Sequence, residues 1–172
     1  MTVHLRPVKE RDLPLLYRLT SEPDSTGDFQ WYGWQDPHRL RRRWEEDGWL
    51  GEDGGILVIA HAEESVGMIS WTKKVANRAS HYWSMGLIVA PEFRGQGYGT
   101  QAQRQLARYL FDHTTVNRIE AATEIDNVAE RRALEKAGFT REGVLRGGGF
   151  RAGEWRDGVL YSMIRSDLAD EA

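Results

Sequence analysis

The residues best suited to chemistry are Arg94-Gly95-Gln96-Gly97-Tyr98-Gly99-Thr100, which follow the apolar run Leu87-Ile88-Val89-Ala90-Pro91 and precede a helical stripe. Glycines at this density let a backbone approach an anion closely, and the first N–H groups of a helix lack partners and point at it. The helix dipole adds to the attraction, while Arg94 supplies either a mobile charge or a brace for the loop. The segment reads as a phosphate cradle. A nucleoside-triphosphate loop would end in Gly-Lys-Ser/Thr, whereas Gly99-Thr100-Gln101 has no lysine. A dinucleotide fold would place G-x-G-x-x-G after its first strand, whereas the glycines here are spaced G-x-G-x-G after a fourth. A glycine-rich turn that only joins strand to helix is the plainer alternative.

Other reactive side chains are sparse. The absence of cysteine removes disulfides, thiolate metal sites and a Cys nucleophile together. His38, His61, His81 and His113 show no metal-ligand spacing, so no metal is expected. The aromatic segment around Trp31, Tyr32 and Trp34 predicts a pocket wall, because large aromatics in a loop need a burial partner. Trp44 fits better as a seal between helix and sheet. Arg41-Arg42-Arg43 is followed by Glu45, Glu46 and Asp47 and reads as a solvated helix face. A net charge of -3 gives no global field for nucleic acid or anionic membrane. No apolar run approaches the ~20 residues of a membrane span. No signal-like segment opens the chain, so a cytoplasmic protein is the default.

The elements that must position the loop follow from periodicity. With 172 residues the chain suits one domain spanning 1–172. Val3 to Pro7 alternates as a short edge strand, and Asp12-Leu13-Pro14 opens a helix with Asp12 as cap. Residues 21–33 look like a loop, and Asp36-Pro37 starts a second helix running toward Gly48. Ile56–Ala60, Val66–Thr72 and Tyr82–Val89 read as strands, followed by the glycine turn and a helix from Thr100 to Asp112. Arg118–Thr123 is extended. Asn127 caps a further helix with Glu130 at capping-box spacing, and Gly138 stops it. Val144–Arg151 and Val159–Arg165 form the last two strands, with Gly147-Gly148-Gly149 suited to a bulge. The order β-α-α-β-β-β-α-β-α-β-β predicts an α/β (α+β) domain with a mixed, largely antiparallel sheet flanked by helices.

With its glycine loop, the chain resembles the GNAT superfamily of acetyl-CoA-dependent N-acetyltransferases. The superfamily signature Arg/Gln-x-x-Gly-x-Gly/Ala is matched by Arg94, Gly97 and Gly99. Leu87-Ile88-Val89 resembles the fourth strand, whose backbone pairs with the pantetheine arm. Asn127-Val128-Ala129 and Leu134-Glu135-Lys136-Ala137-Gly138-Phe139 resemble the second motif, in which the Asn contacts that arm. The ending from Arg146 through Asp157-Gly158-Val159-Leu160-Tyr161-Ser162 is similar to the RimJ/RimL-like branch.

The resemblance implies direct acyl transfer from acetyl-CoA, bound by residues 87–89, the loop through Thr100, and Asn127. It further implies a splay of strands four and five to hold the cofactor, and an oxyanion donor at a backbone N–H near Leu87. The superfamily's usual acid/base positions carry Leu134, Ala129, Ala122 and Ser84 here. Glu124 and Glu120 remain as candidate bases sharing a strand face, each with the alternative of an arginine-paired structural carboxylate, and Ser84 remains as a proton relay. The acceptor implied is a primary amine of a small molecule or a peptide N-terminus, approaching through Trp31, Tyr32 and Trp34. A non-catalytic acyl-CoA-binding regulatory module is the alternative from another class. An exposed Trp cluster would be compatible with a homodimer.

Overall fold

The computed structural model describes residues 2–171, with side chains through 168; Met1 and Ala172, the ends of the expected domain, lie outside the described residues. One mixed eight-stranded sheet organises the chain, in the order β1-β3-β4-β5-β6-β8-β7, with β2 (Leu50–Gly51) paired to β3. β1 (His4–Pro7) is an edge strand as expected, antiparallel to β3 (Gly54–His61). β3 is apolar on both faces because helices cover both, so Leu57 and Ile59 enter one core cluster while Ile56 and Val58 enter the other.

On one face, α1 (Leu13–Ser21) buries Leu13, Leu16 and Leu19, with α3 (Arg39–Asp47) beside it. Asp12 stands at the N-cap position of α1 but makes no side-chain cap. Its carboxylate instead pairs with Arg6 at 2.7 Å and accepts the Lys9 N–H at 2.8 Å, beside Ser65. Burial alone would raise its pKa, yet these bonds outweigh it and hold the carboxyl at about 2. The expected loop at 21–33 contains a single helical turn, α2 (Pro23–Thr26), ended by Gly27 at φ 87°. α3 starts three residues after Asp36, and the Trp44 indole donates to the Val8 carbonyl at 3.2 Å, sealing helix to sheet.

On the other face, α4 (Tyr98–His113) buries Ala102, Leu106, Leu110 and Phe111 against β4 (Glu64–Asn77) and β5 (Ser80–Val89). Both strands outrun their predicted ends, β4 through Lys73–Asn77 and β5 by Ser80 and His81, and these extensions pair with each other. β6 (Arg118–Glu124), α5 (Val128–Lys136), β7 (Thr140–Arg151) and β8 (Glu154–Ile164) complete the chain. The register of β7 shifts between Leu145 and Gly149, where three glycines accommodate the bulge. Among the described residues, no helix is long and apolar enough to cross a membrane.

The join between β5 and β6 positions the site. They pair in parallel only at Trp83–Ile119, Ser84–Glu120 and Met85–Ala121. β5 then continues to Val89 and β6 to Glu124 without each other, while β6 stays paired to β8 throughout. The two strands splay toward their C-terminal ends, as expected for strands four and five of the predicted order.

Candidate active site

Backbone polarity along the free edge of β5 is set by alternation. Ala90 donates its N–H to Val66 of β4 at 2.9 Å, so Leu87 and Val89 turn their polar groups the other way, into the gap. Their carbonyls are already engaged: Leu87 O accepts from Gln30 Nε2 at 2.9 Å and Val89 O from Arg94 Nε at 3.0 Å. The N–H groups of Leu87 and Val89 therefore face the gap beside occupied acceptors. A cavity of about 500 Å³ opens there, between the end of β5, the glycine loop and the start of α5.

Most of the expected cofactor residues meet in this wall. Leu87, Ile88 and Val89 line it from the strand, Asn127 from α5, and Thr100 from the first turn of α4. Gly95 (φ 76°) and Gly97 (φ 78°) adopt left-handed backbone, and a Cβ at either would meet nothing within 4 Å. Glycine is needed there for conformation, and room remains above the loop for a ligand. Gly99 is different, since a Cβ would come 3.4 Å from Leu87 Cδ1, so this glycine brings α4 close to the strand. Arg94 braces the loop, because its Nη2 also donates to the Ser25 carbonyl at 2.9 Å. The Tyr98 side chain is buried and stacks on His61, with ring centres 5.2 Å apart, so its backbone is what it presents to the cavity. Gln96 is exposed and stands outside the cavity wall.

Asn127 caps α5 by accepting the Glu130 N–H at 3.3 Å, and its Nδ2 donates to Thr123 Oγ1 at 3.0 Å. The expected capping box is only half made. The Glu130 carboxylate turns away from Asn127 to accept from Gln103 Nε2 of α4 at 2.5 Å. Little around this group favours its charged form, and burial pushes its carboxyl up to about 7 despite the Gln103 bond.

The candidate bases lie on the opposite face of β6. The Glu124 carboxylate is forked by Arg151 of β7, through Nε and through Nη2 at 2.8 Å, and this arginine lowers its pKa. Glu120 is held by Arg118 Nε at 2.7 Å, and the same guanidinium clasps Glu142, driving that carboxyl down to about 2. Ser84 sits opposite Glu120 in the β5–β6 register. The structure thus brings Ser84 and Glu120 together, but Glu124 is drawn toward the β7–β8 hairpin. Arginine pairing favours the structural alternative for both glutamates, and for Glu124 the cation also lowers the carboxyl pKa, which makes it a poorer proton acceptor.

The aromatic segment does not form the expected wall. Tyr32 is 69% and Trp34 80% exposed, and Trp31 packs edge-on to Trp34 with ring centres 5.1 Å apart. The burial expected of these rings is met only in part, by the contact between the two tryptophans, and Gly33 before Trp34 takes a positive φ of 106°. Phe29 and Gln30, immediately before Trp31, line the cavity instead, with Arg151 stacked over Phe29 at 5.5 Å. Sequence reasoning also missed Arg132 and Lys136, which line the same cavity from α5 and carry charge suited to phosphate oxygens. Their i,i+4 spacing just after the Asn127 cap was the available signal. Among the described residues, no group of three or more His, Asp or Glu could hold a metal ion.

A glycine-rich anion cradle, a parted strand edge with inward N–H groups, and an adjoining helix start together form a site suited to a phosphate-bearing ligand with an extended arm. Residues 2–140 match the family model of the GNAT acetyltransferase domain, and the chain belongs to that family. YdaF of Bacillus subtilis, provisionally named a ribosomal N-acetyltransferase, is 33% identical over 87 residues, 51% of this chain and 48% of its own. The chain spans about half the length of the first curated relatives it matches. The L-amino acid N-acetyltransferase AaaT of Escherichia coli is 23% identical over 163 residues, 94% of this chain and 97% of its own. Among solved structures, a Vibrio cholerae spermidine N-acetyltransferase in complex with CoA and spermine superposes with TM-score 0.81 at 17% identity, covering 98% of each chain. At that identity the likeness is one of fold.

Proposed function

We propose that the protein transfers the acetyl group of acetyl-CoA to a primary amine of a small molecule or a peptide N-terminus by direct attack in a ternary complex. The observation that carries this reading is the splayed β5 edge, whose Leu87 and Val89 N–H groups open onto the same cavity as the glycine loop. The loop and the first N–H groups of α4 would hold the pyrophosphate, with Arg132 and Lys136 available to further phosphate charge. Asn127 and the strand edge would hold the pantetheine arm. The Leu87 N–H is aimed to stabilise the oxyanion that develops on the acetyl carbonyl.

The amine must arrive neutral, and no carboxylate free of arginine stands out on the acceptor side. Ser84 beside Glu120 is the best-placed relay to water. Holding both reactants in line supplies much of the rate, on the order of 7 kcal/mol or more in favourable cases. Similarity to AaaT and to the spermidine N(1)-acetyltransferase of Escherichia coli supports a small amine acceptor. The RimJ/RimL-like ending and YdaF support the peptide N-terminus as the other acceptor class. The decisive experiment is thiol release from acetyl-CoA across polyamines, amino acids, aminoglycosides and short peptides. An amine-dependent signal is expected. Silence across the panel while acetyl-CoA still raises the melting temperature would overturn the acceptor assignment.

A further inference from the structure

Glu130 lines the donor cavity from the first turn of α5, one turn before the fully buried Leu134 on the same helix face. Its partner Gln103 is 1% exposed, and the Gln103 Oε1 is buried with no hydrogen-bond partner among the described residues. A carboxylate accepts only, so it leaves that carbonyl oxygen orphaned. A carboxylic acid beside the same carboxamide can accept from Nε2 and donate its own O–H to Oε1, removing the cost of a buried unpaired acceptor. The charge environment agrees. From α4 the group facing the carboxyl is the neutral Gln103; Arg132 and Lys136 of α5 line the same cavity, and Arg94 across it is tied to two backbone carbonyls. None of these cations acts as a counter-charge, and burial is the dominant influence on Glu130.

We propose that Glu130, buried against Gln103 in the wall of the cavity, is the acid that protonates the thiolate leaving acetyl-CoA. The inference rests on the acetyl transfer proposed above. In the step, the acceptor nitrogen bonds to the acetyl carbon and the carbon–sulfur bond breaks with its electron pair going to sulfur. The Glu130 O–H proton then passes to that sulfur, leaving CoA thiol and a Glu130 carboxylate. The proton lost by the acceptor nitrogen goes to water, and water returns one to Glu130 through the open cavity.

Two experiments test this. Carbon NMR of carboxyl-labelled glutamate, with the Glu130 resonance assigned through Glu130→Gln, follows its titration in the free protein, with CoA, and with desulfo-CoA, which lacks the sulfur. A midpoint near neutrality, displaced further by CoA than by desulfo-CoA, is expected. Equal displacement by both ligands would place the carboxyl away from the sulfur and overturn the proposal. With the best amine of the panel, Glu130→Gln should lower kcat about a hundredfold, leave the acetyl-CoA affinity within about threefold, and remove the alkaline limb of the kcat profile. Glu130→Asp, which keeps an acid on a shorter stem, should recover part of that kcat. An unchanged kcat in Glu130→Gln overturns the proposal. If the wild type releases thiol with no amine, it is the acceptor assignment that fails, and the comparison of CoA with desulfo-CoA still decides Glu130.

Discussion

On the α4 side of the gap between β5 and β6, Glu130 faces a carboxamide and a cavity. On the opposite face of the same sheet, Glu120, Glu124 and Glu142 each meet a guanidinium. The result is carboxyl groups with opposite tendencies within one small domain. Glu130 is pushed up to about 7 by burial, whereas Glu142 is drawn to about 2 and Glu124 is lowered, both chiefly by hydrogen bonds from arginine. Environments that drive titratable groups apart are how one site keeps a proton at one end and stays anionic at the other. The proposed donor side is also the better formed: glycine loop, cap and strand edge converge on one cavity, whereas the proposed acceptor side has the exposed Tyr32 and Trp34 and a bulged hairpin.

The sharpest way to break this contrast is to damage the donor side alone. Gly97→Val forces a β-branched residue into a left-handed conformation at the start of α4 and should weaken acetyl-CoA binding by about a hundredfold in calorimetry. An unchanged affinity would dissolve the loop assignment. On the other side, Arg151→Met frees Glu124 and removes the cation over Phe29. It should raise the KM for the amine about tenfold while the affinity for acetyl-CoA stays as it was. A parallel loss in both constants would mean that Arg151 supports the whole sheet rather than the acceptor side.

Stability against pH should separate the two sides with opposite signs. Between the ordinary glutamate value of 4.5 and about 7, the folded protein retains a proton on Glu130 that the unfolded chain has released. Its contribution therefore falls as pH rises through that window, and Glu130→Gln should flatten the slope. Glu142 behaves inversely, since its folded value lies near 2. Its contribution is present above 4.5 and is lost as pH falls toward 2, and Glu142→Gln should remove that acid-side slope in denaturant titrations. The smallest effect belongs to Tyr32→Ala and Trp34→Ala, whose side chains are mostly exposed; each should cost under about 0.5 kcal/mol of stability. A larger loss for either would show that the aromatic segment is buried in solution by something other than this chain.

The glycine loop, the Asn127 cap and most of the order of elements along the chain were legible because each is a local pattern with one physical solution. The parts that escaped depend on distant neighbours. Pro23–Thr26 is too short to show a helical period, and the far end of β4, Lys73–Asn77, stays largely exposed and carries no regular alternation. Nothing in the composition around Trp34 tells that its ring stays exposed. Glu130 was legible only as a capping residue, because its partner is Gln103, 27 positions earlier on another helix. Arg151 was likewise hidden, since it reaches Glu124 from a strand 27 positions later.

The three rungs joining β5 to β6 have a mechanical meaning as well. Among the described residues they are the strand pairing that links the β1–β5 half of the sheet to the β6–β8–β7 half, so the domain resembles two leaves on a short spine. A pantetheine arm lying along the free edge of β5 would act as stitching that lengthens the spine. Amide exchange at Trp83, Met85, Ile119 and Ala121 should then slow when acetyl-CoA is added, by as much as the ligand stabilises the fold as a whole. A protein built this way would be at its loosest when no ligand is bound, and its resistance to heat and proteolysis would rise and fall with the acyl-CoA supply.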